Sequence, residues 1–205
     1  MSRMPRLAAC AALVLLVAGA LAACAGPQVG QTGRVEVADS GFAVTLPTGW
    51  LAIGLTGEDI DKLIGTEGNK EVAESLRQQA PALLAAGVKL WAFDTGKATG
   101  SSLQVIVQSG PTPIETLRKL AQQFIATGSD LASSELTDLT VSGSEAVRLD
   151  YGLERDSGVG TTVKANGTQV YVSTAATSYI FAITVADGGA ATAADEIVGS
   201  IEFLE

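Results

Sequence analysis

Histidine is absent from the 205-residue sequence, and cysteine occurs only twice, at Cys10 and Cys24. Without histidine, the chain cannot form a Ser-His-Asp or Cys-His catalytic arrangement, nor bind a metal through imidazole. The sequence also lacks a dinucleotide-binding glycine motif, a P-loop and a Ser-x-x-Lys acyl-transfer signature. We therefore predict a protein that is not an enzyme and that has no catalytic residue, metal site or cofactor.

The N-terminus has the pattern of an export signal. Arg3 and Arg6 provide a basic start, and residues 7–23 then form an apolar run of 17 residues without a charged side chain. This length is at the lower limit for a membrane-spanning helix. It also fits a secretory signal peptide, in which an apolar centre is followed by small residues before the cleavage site.

The end of the apolar run favours one kind of signal. Leu21-Ala22-Ala23-Cys24 resembles the lipobox of bacterial lipoproteins, which has an aliphatic residue and two small residues before a cysteine. This resemblance implies cleavage between Ala23 and Cys24, with the Cys24 sulfur acylated. The alternatives are a transmembrane anchor in which Cys24 is incidental and an ordinary cleaved signal peptide. Acyl chains such as palmitate would hold the protein at the membrane without a spanning helix.

This interpretation divides the chain into three parts. Residues 1–23 form the signal peptide, residues 24–33 the lipidated cysteine and a flexible tether, and residues 34–205 a single domain. Loss of Arg3 and Arg6 changes the formal charge from −9 to −11. Such a charge opposes binding to nucleic acid and to anionic lipid surfaces. We expect a lipid-anchored protein on the extracytoplasmic face of the cell membrane.

The remaining sequence predicts an α+β fold. Period-two alternation and turn residues indicate strands, whereas apolar residues at helical spacing indicate helices. Strands are predicted at 42–46, 50–53, 88–94, 102–109, 135–141, 146–154, 159–165, 168–174, 179–185 and 201–204, and helices at 70–86, 113–127 and 194–200. Thr112 is the predicted cap of the second of these helices. Its predicted core stripe is Ile114, Leu117, Leu120, Phe124 and Ile125.

Two short sequences predict tight turns between neighbouring strands. Ser142-Gly143-Ser144 separates two alternating segments, and Asn166-Gly167 is the dipeptide that most favours a type I′ hairpin. Strands joined by tight turns are antiparallel. We therefore expect an antiparallel sheet flanked by helices, in the manner of an α/β/α sandwich.

Two segments carry a resemblance to a known family. Leu46-Pro47-Thr48-Gly49-Trp50 follows the first strand, and residues 196–203 form the closing segment EIVGSIEF. In these segments the chain resembles the PsbP-like fold family, and within it the LpqN/LpqT-type lipoproteins of actinobacteria. The resemblance implies an antiparallel sheet between helical layers that binds other proteins, and it transfers no active-site residue.

Two carboxylate patterns provide alternatives to this prediction. The triplets Asp94-Thr95-Gly96 and Asp156-Ser157-Gly158 match the signature of aspartic proteases, in which two aspartates share a proton. Both triplets also occur where turns are expected, and Asp-x-Gly is typical of turns. Glu58, Asp59 and Asp61 are candidate calcium ligands, but their spacing differs from that of an EF-hand and the start of a helix explains them.

Three functions are compatible with these observations. The favoured function is an envelope adaptor that binds secreted or envelope proteins. The second is a lipoprotein that binds a small molecule or lipid in a pocket between sheet and helices, and the third is a hydrolase with unrecognised carboxylates. The sequence assigns no ligand-binding residue to any of them.

Overall fold

The computed structural model describes residues 31–55, 70–95, 101–128, 131–156, 162–187, 189–190 and 192–204. The side chains are not described at 70–76, 155–156 and 162–163. The predicted signal peptide, Ala23 and Cys24 therefore lie outside the described residues, as do Glu58, Asp59 and Asp61. The predicted division into residues 1–23, 24–33 and 34–205 stays a prediction. Within the described part, no helix is both long enough and apolar enough to span a membrane.

The described residues form ten strands and three α-helices. The strands are β1 (Arg34–Val37), β2 (Phe42–Thr45), β3 (Trp50–Ile53), β4 (Val88–Asp94), β5 (Ser102–Ser109), β6 (Leu131–Val141), β7 (Ser144–Asp156), β8 (Thr162–Ser173), β9 (Thr177–Ala186) and β10 (Glu202–Phe203). The helices are α1 (Lys70–Ala85), α2 (Ile114–Thr127) and α3 (Ala193–Gly199).

Seven of the strands form one large sheet in the order β3-β4-β5-β9-β8-β7-β6. Every neighbouring pair in this sheet is antiparallel. The other three strands form a small sheet in the order β1-β2-β10, which is also antiparallel. The predicted α+β class with an antiparallel sheet flanked by helices is confirmed.

Three apolar clusters lie on the two faces of the large sheet. On one face, α1 packs over β3–β5 through Ala80 and Leu83, and α2 packs over β6–β9 through Leu117 and Ala121. On the other face, α3 and the small sheet together cover the largest cluster. Side chains alternate across the sheet because neighbouring residues of a strand point to opposite faces. The second covering layer is therefore part helix and part sheet, which the sequence did not reveal.

Phe42 of the small sheet is the centre of the largest cluster. Its side chain is fully buried and makes edge-on ring contacts with Tyr179 at 5.9 Å and Phe181 at 5.7 Å, both on β9. The Tyr179 hydroxyl donates a hydrogen bond of 2.9 Å to the carbonyl of Ser40. Edge-to-face rings add to the stability gained from burial of their apolar area.

Ser200 explains part of the closing segment that carried the family resemblance. Its hydroxyl donates to the carbonyl of Ile197 at 2.8 Å and accepts a hydrogen bond from the Thr45 amide at 2.9 Å. The first bond satisfies a carbonyl of the last turn of α3, and the second connects that turn to β2. This serine thus couples the end of α3 to the small sheet.

The turn predicted at Ser142-Gly143 is present. Val141 pairs with Ser144 across it, and the φ angles of Ser142 and Gly143 are 46° and 80°. Two consecutive positive φ angles define the type I′ turn, whose twist matches that of a β-hairpin.

The prediction of a turn at Asn166-Gly167 is wrong. β8 continues through both residues, and Gly167 pairs with Tyr151 of β7. A Cβ atom on Gly167 would overlap the ring of Tyr151. The glycine is thus required by a close side-chain contact within the sheet, and not by a turn.

The predicted details of α2 are partly wrong. The residue at its N-cap is Pro113, and no side chain caps the helix. The hydroxyl of Thr112, the predicted cap, instead accepts a hydrogen bond of 2.8 Å from Ser178. Leu120 was predicted to be in the core but is 36% exposed, whereas Ala121 is fully buried. The other four residues of the predicted stripe pack in the cluster beneath α2.

Candidate functional site

A polar groove of about 420 Å³ lies beside α3, where β6, β7 and β8 emerge from beneath it. Its polar lining includes Ser133 and Glu135 from β6, Arg148 and Asp150 from β7, Thr168 from β8 and Asp195 from α3. These side chains lie on the face of the sheet that carries α3, at the border of the largest apolar cluster. The groove therefore combines three neighbouring strands and the first turn of a helix.

Arg148 is the central charge of the groove. Its Nε and one terminal nitrogen donate to the two oxygens of Asp150 at 2.7 and 3.0 Å. Its other terminal nitrogen lies 2.7 Å from a carboxylate oxygen of Asp195. The hydrogen bond to Asp150 is the main cause that raises the pKa of Arg148 above its ordinary value, against a smaller lowering by burial. The guanidinium is therefore a fixed cation that joins α3 to β7.

Both carboxylate oxygens of Asp150 accept hydrogen bonds. In addition to the two bonds from Arg148, it accepts a hydrogen bond of 2.6 Å from the hydroxyl of Thr168. Arg148 and Asp150 are two positions apart on β7, so both side chains point away from α2. The sequence predicted this polar face of the strand. It did not indicate that Asp195 would complete the ion pair, because the contact is non-local.

The groove carries an excess of negative charge. Among the described residues of its lining, Glu135, Asp150 and Asp195 contribute three carboxylates, against the single guanidinium of Arg148. Within the described part of the chain, no three carboxylates or cysteines converge closely enough to hold a metal ion. The arrangement therefore suits recognition of a cationic group by hydrogen bonds and charge.

On the opposite face of the same strands, a buried polar chain lies beneath α2. The Tyr171 hydroxyl donates to the Gln169 side-chain oxygen, and the Gln169 amide donates to the Tyr151 hydroxyl at 3.4 Å. Burial raises the pKa of Tyr171 to about 12 and also raises the pKa of Tyr151. The ring of Phe124 in α2 lies 5.1 Å from that of Tyr151. Side chains thus occupy the space between α2 and the sheet.

The two aspartates of the protease-like triplets are not brought together. Asp94 ends β4 and Asp156 ends β7, and the strands β5, β9 and β8 lie between them. Four strand spacings separate the two positions by about 19 Å across the sheet. A shared proton requires two carboxylates in contact. The second residue of the first triplet, Thr95, instead donates a hydrogen bond of 2.8 Å to the Gly49 carbonyl.

No family model matches the chain, and no curated protein is significantly similar to it. Among solved structures it is similar to LpqN, involved in cell envelope biogenesis of Mycobacterium tuberculosis, with 13% identity and a TM-score of 0.52 over 85% of this chain and 91% of LpqN. It is also similar to cyanobacterial PsbP (CyanoP) from Synechocystis sp. PCC 6803, with 17% identity and a TM-score of 0.47 over 90% of this chain and 99% of that one.

A third similar structure comes from Bacteroides thetaiotaomicron VPI-5482. It has 10% identity and a TM-score of 0.44, over 80% of this chain. This chain spans 45% of the length of that protein. Of the three, LpqN has a TM-score above 0.5, and at this low identity the likeness shows a shared fold alone. The predicted resemblance to the LpqN-type fold is confirmed at that level.

Proposed function

We propose that this chain is a membrane-anchored lipoprotein of the cell envelope that has no catalytic activity and acts as an adaptor for secreted or envelope proteins. The observation that carries the proposal is the bonding of Asp150, whose oxygens are engaged by Arg148 and Thr168. A general acid or base needs an oxygen within reach of the proton that it transfers. A fixed ion pair at the border of a groove is better suited to recognition of a partner.

The proposed location agrees with the fold and with the N-terminal sequence. LpqN, which shares the fold, is described as involved in cell envelope biogenesis. Acyl chains such as palmitate on Cys24 would provide the membrane attachment. The formal charge of −11 that remains without Arg3 and Arg6 opposes contact of the protein surface with anionic lipid or nucleic acid. The partner is therefore proposed to be a protein.

The experiment uses the full chain in the membrane of a bacterial host. Envelope proteins are crosslinked to it, recovered and identified, and the same preparation in detergent is assayed on peptide, ester, phosphate and glycoside substrates. We expect reproducible crosslinked partners and no turnover of any substrate. Turnover that is lost on Glu135→Gln or Asp195→Asn would contradict the proposal, as would the absence of any crosslinked protein.

A further inference from the structure

The two edge strands of the large sheet differ in how they are covered. β3 has four residues, all buried, and its Ala52 amide donates to the Gln31 carbonyl at 3.0 Å. That edge is therefore occupied by the beginning of the described chain. β6 has 11 residues, most of them exposed, and within the described residues it pairs with β7 alone.

The register of the hairpin identifies the backbone groups of β6 that are unpaired. In a two-residue hairpin the closing pair, here Val141 and Ser144, exchanges both backbone hydrogen bonds. Bonded and non-bonded pairs then alternate along the strands. The residues of β6 whose N–H and C=O groups point away from β7 are Ser134, Leu136, Asp138 and Thr140. These four residues present a row of donors and acceptors along the open edge.

This edge has few of the features that prevent strand addition. Proteins usually protect an edge with proline, lysine or a bulge. β6 contains neither proline nor lysine, and its irregularity lies at the start, between Leu131 and Ser133. From Ser134 onward the pairing with β7 is regular. The edge is therefore a template for a further strand.

The charge of this surface indicates the chemistry of the added strand. On the groove side, Glu135 lies opposite Asp150 in the register and shares the groove with Asp195. On the α2 side, Asp138 is 2.7 Å from Arg118 and is already neutralised. The excess negative charge therefore lies on the groove side of the edge. Cationic side chains on that side of an added strand would complement it.

We propose that β6 binds an extended segment of a partner protein as an antiparallel eighth strand, with lysine or arginine side chains directed into the groove. The proposal rests on the adaptor function and names the surface and the chemistry of its partner. A second copy of this chain is a poorer occupant, because two edges that each carry Glu135, on chains whose formal charge is −11 without Arg3 and Arg6, would repel.

Strand geometry defines a probe for this proposal. Residues of an antiparallel strand that bond to Ser134, Leu136, Asp138 or Thr140 share the face of those side chains, which is the α2 side. The alternate residues point their side chains into the groove and their N–H groups away from β6. In a seven-residue peptide of alternating lysine and threonine, the threonine amides would therefore bond to β6, and the lysines would enter the groove.

The first experiment measures binding of the fluorescently labelled peptide to the full chain in detergent, by anisotropy. N-methylation of two threonines should weaken binding about tenfold or more, because two backbone donors are lost. N-methylation of two lysines should leave the affinity within about twofold, and replacement of lysine by glutamate should abolish binding. Equal effects of the two methylations, or binding of the glutamate peptide, would overturn the proposal.

Protein variants provide a second, independent test. Glu135→Gln should weaken binding of the lysine peptide about two- to fivefold. Glu145→Gln causes the same change of net charge but lies five residues from Asp150 on β7, about 17 Å away, and should have no effect. Ser134→Pro removes an outward N–H at a position where an edge strand accepts proline, and it should weaken binding where Ser134→Ala does not.

The outcomes distinguish a failure of the edge proposal from a failure of the proposed adaptor function. If Ser134→Pro leaves the peptide affinity and the envelope crosslinks unchanged, the edge proposal is wrong and the adaptor function stands. If the wild-type chain crosslinks to no envelope protein, the adaptor function is wrong. Sedimentation of the chain without peptide shows whether a second copy occupies the edge. A dimer that dissociates in the Ser134→Pro variant would overturn the proposal.

Discussion

Tyr151 has three separate roles at the scale of single residues. Its ring covers Gly167 on the next strand, its face contacts Phe124 of α2, and its hydroxyl accepts a hydrogen bond from Gln169. A glycine within a strand destabilises the sheet, because it loses more backbone entropy on folding than other residues do. An aromatic ring from the neighbouring strand offsets part of this loss by covering the exposed backbone. The pair therefore acts as one packing unit.

We expect Gly167→Ala to lower the free energy of unfolding by about 1–3 kcal/mol, because its Cβ would displace the Tyr151 ring from beneath α2. Urea unfolding followed by circular dichroism measures the change. The control is the same substitution in a Tyr151→Ala background, where the steric conflict is gone and the cost should be much smaller. An equal cost in both backgrounds would show that Tyr151 is not the cause.

The buried phenol of Tyr171 makes stability depend on pH in the alkaline range. Its pKa is about 12 in the folded chain, above the ordinary value of about 10, so the unfolded chain releases this proton first. The contribution of this phenol to the free energy of unfolding is therefore fully present below about pH 10, and it is lost as the pH rises through about 12. Urea unfolding at intervals between pH 8 and 12 should show this fall, and Tyr171→Phe should reduce it. A pH-independent wild type would contradict the assignment.

At the scale of elements, the turn of the β6–β7 hairpin requires an unusual backbone conformation. Ser142 and Gly143 both have positive φ, which side chains with a Cβ adopt at a cost. The turn joins strands of 11 and 13 residues and fixes the register of all their pairs. The groove depends on that register, because a shift by one residue would turn Arg148 and Asp150 to the α2 side.

Gly143→Ala should lower the free energy of unfolding by about 1–2 kcal/mol, because alanine disfavours a φ of 80°. Chemical denaturation measures it. Gly199→Ala at the end of α3 is the matched control, since a Cβ there meets no atom within 4 Å and φ is not positive. We expect this control to be neutral within about 0.5 kcal/mol. A neutral Gly143→Ala would mean that the turn differs from type I′.

The sequence predicted those elements that local patterns determine. Both ends of β4 and β5 were predicted to the residue, because their apolar alternation ends at turn residues. The prediction of a turn at Asn166-Gly167 failed because the long-range pairing of β8 with β7 and β9 outweighs the local turn preference of this dipeptide. The polar face of β7 was predictable, but its ion pair with Asp195 was not, since residues 47 positions apart meet only through packing of the whole sheet.

At the scale of the whole molecule, the position of the predicted tether can be compared with that of the open edge of β6. In the structure the chain enters the large sheet at Gln31, which bridges to Ala52 of β3. Six strand spacings, about 29 Å, separate β3 from β6. The open edge is therefore at the opposite side of the sheet from the point where a tether would join it.

Cys24→Ala should abolish incorporation of labelled palmitate and leave the precursor uncleaved, because the predicted acyl acceptor is the thiol of Cys24. Metabolic labelling and the mass of the purified chain measure both effects. Cys10→Ala, within the predicted signal peptide, is the control and should be labelled and cleaved normally. Labelling of the Cys24→Ala chain would contradict the lipoprotein assignment.

The pairing of β2 with β10 also has a consequence for the order of folding. Arg34 and Glu202 form an ion pair across 168 positions, and Phe42 pairs with Phe203 in the small sheet. Contacts of such long range require closure of almost the entire chain, which makes folding slow. The largest cluster remains uncovered until α3 and β10 arrive. A chain that emerges from its N-terminus, on a ribosome or through a translocation channel, therefore stays unable to complete its core until β10 has emerged.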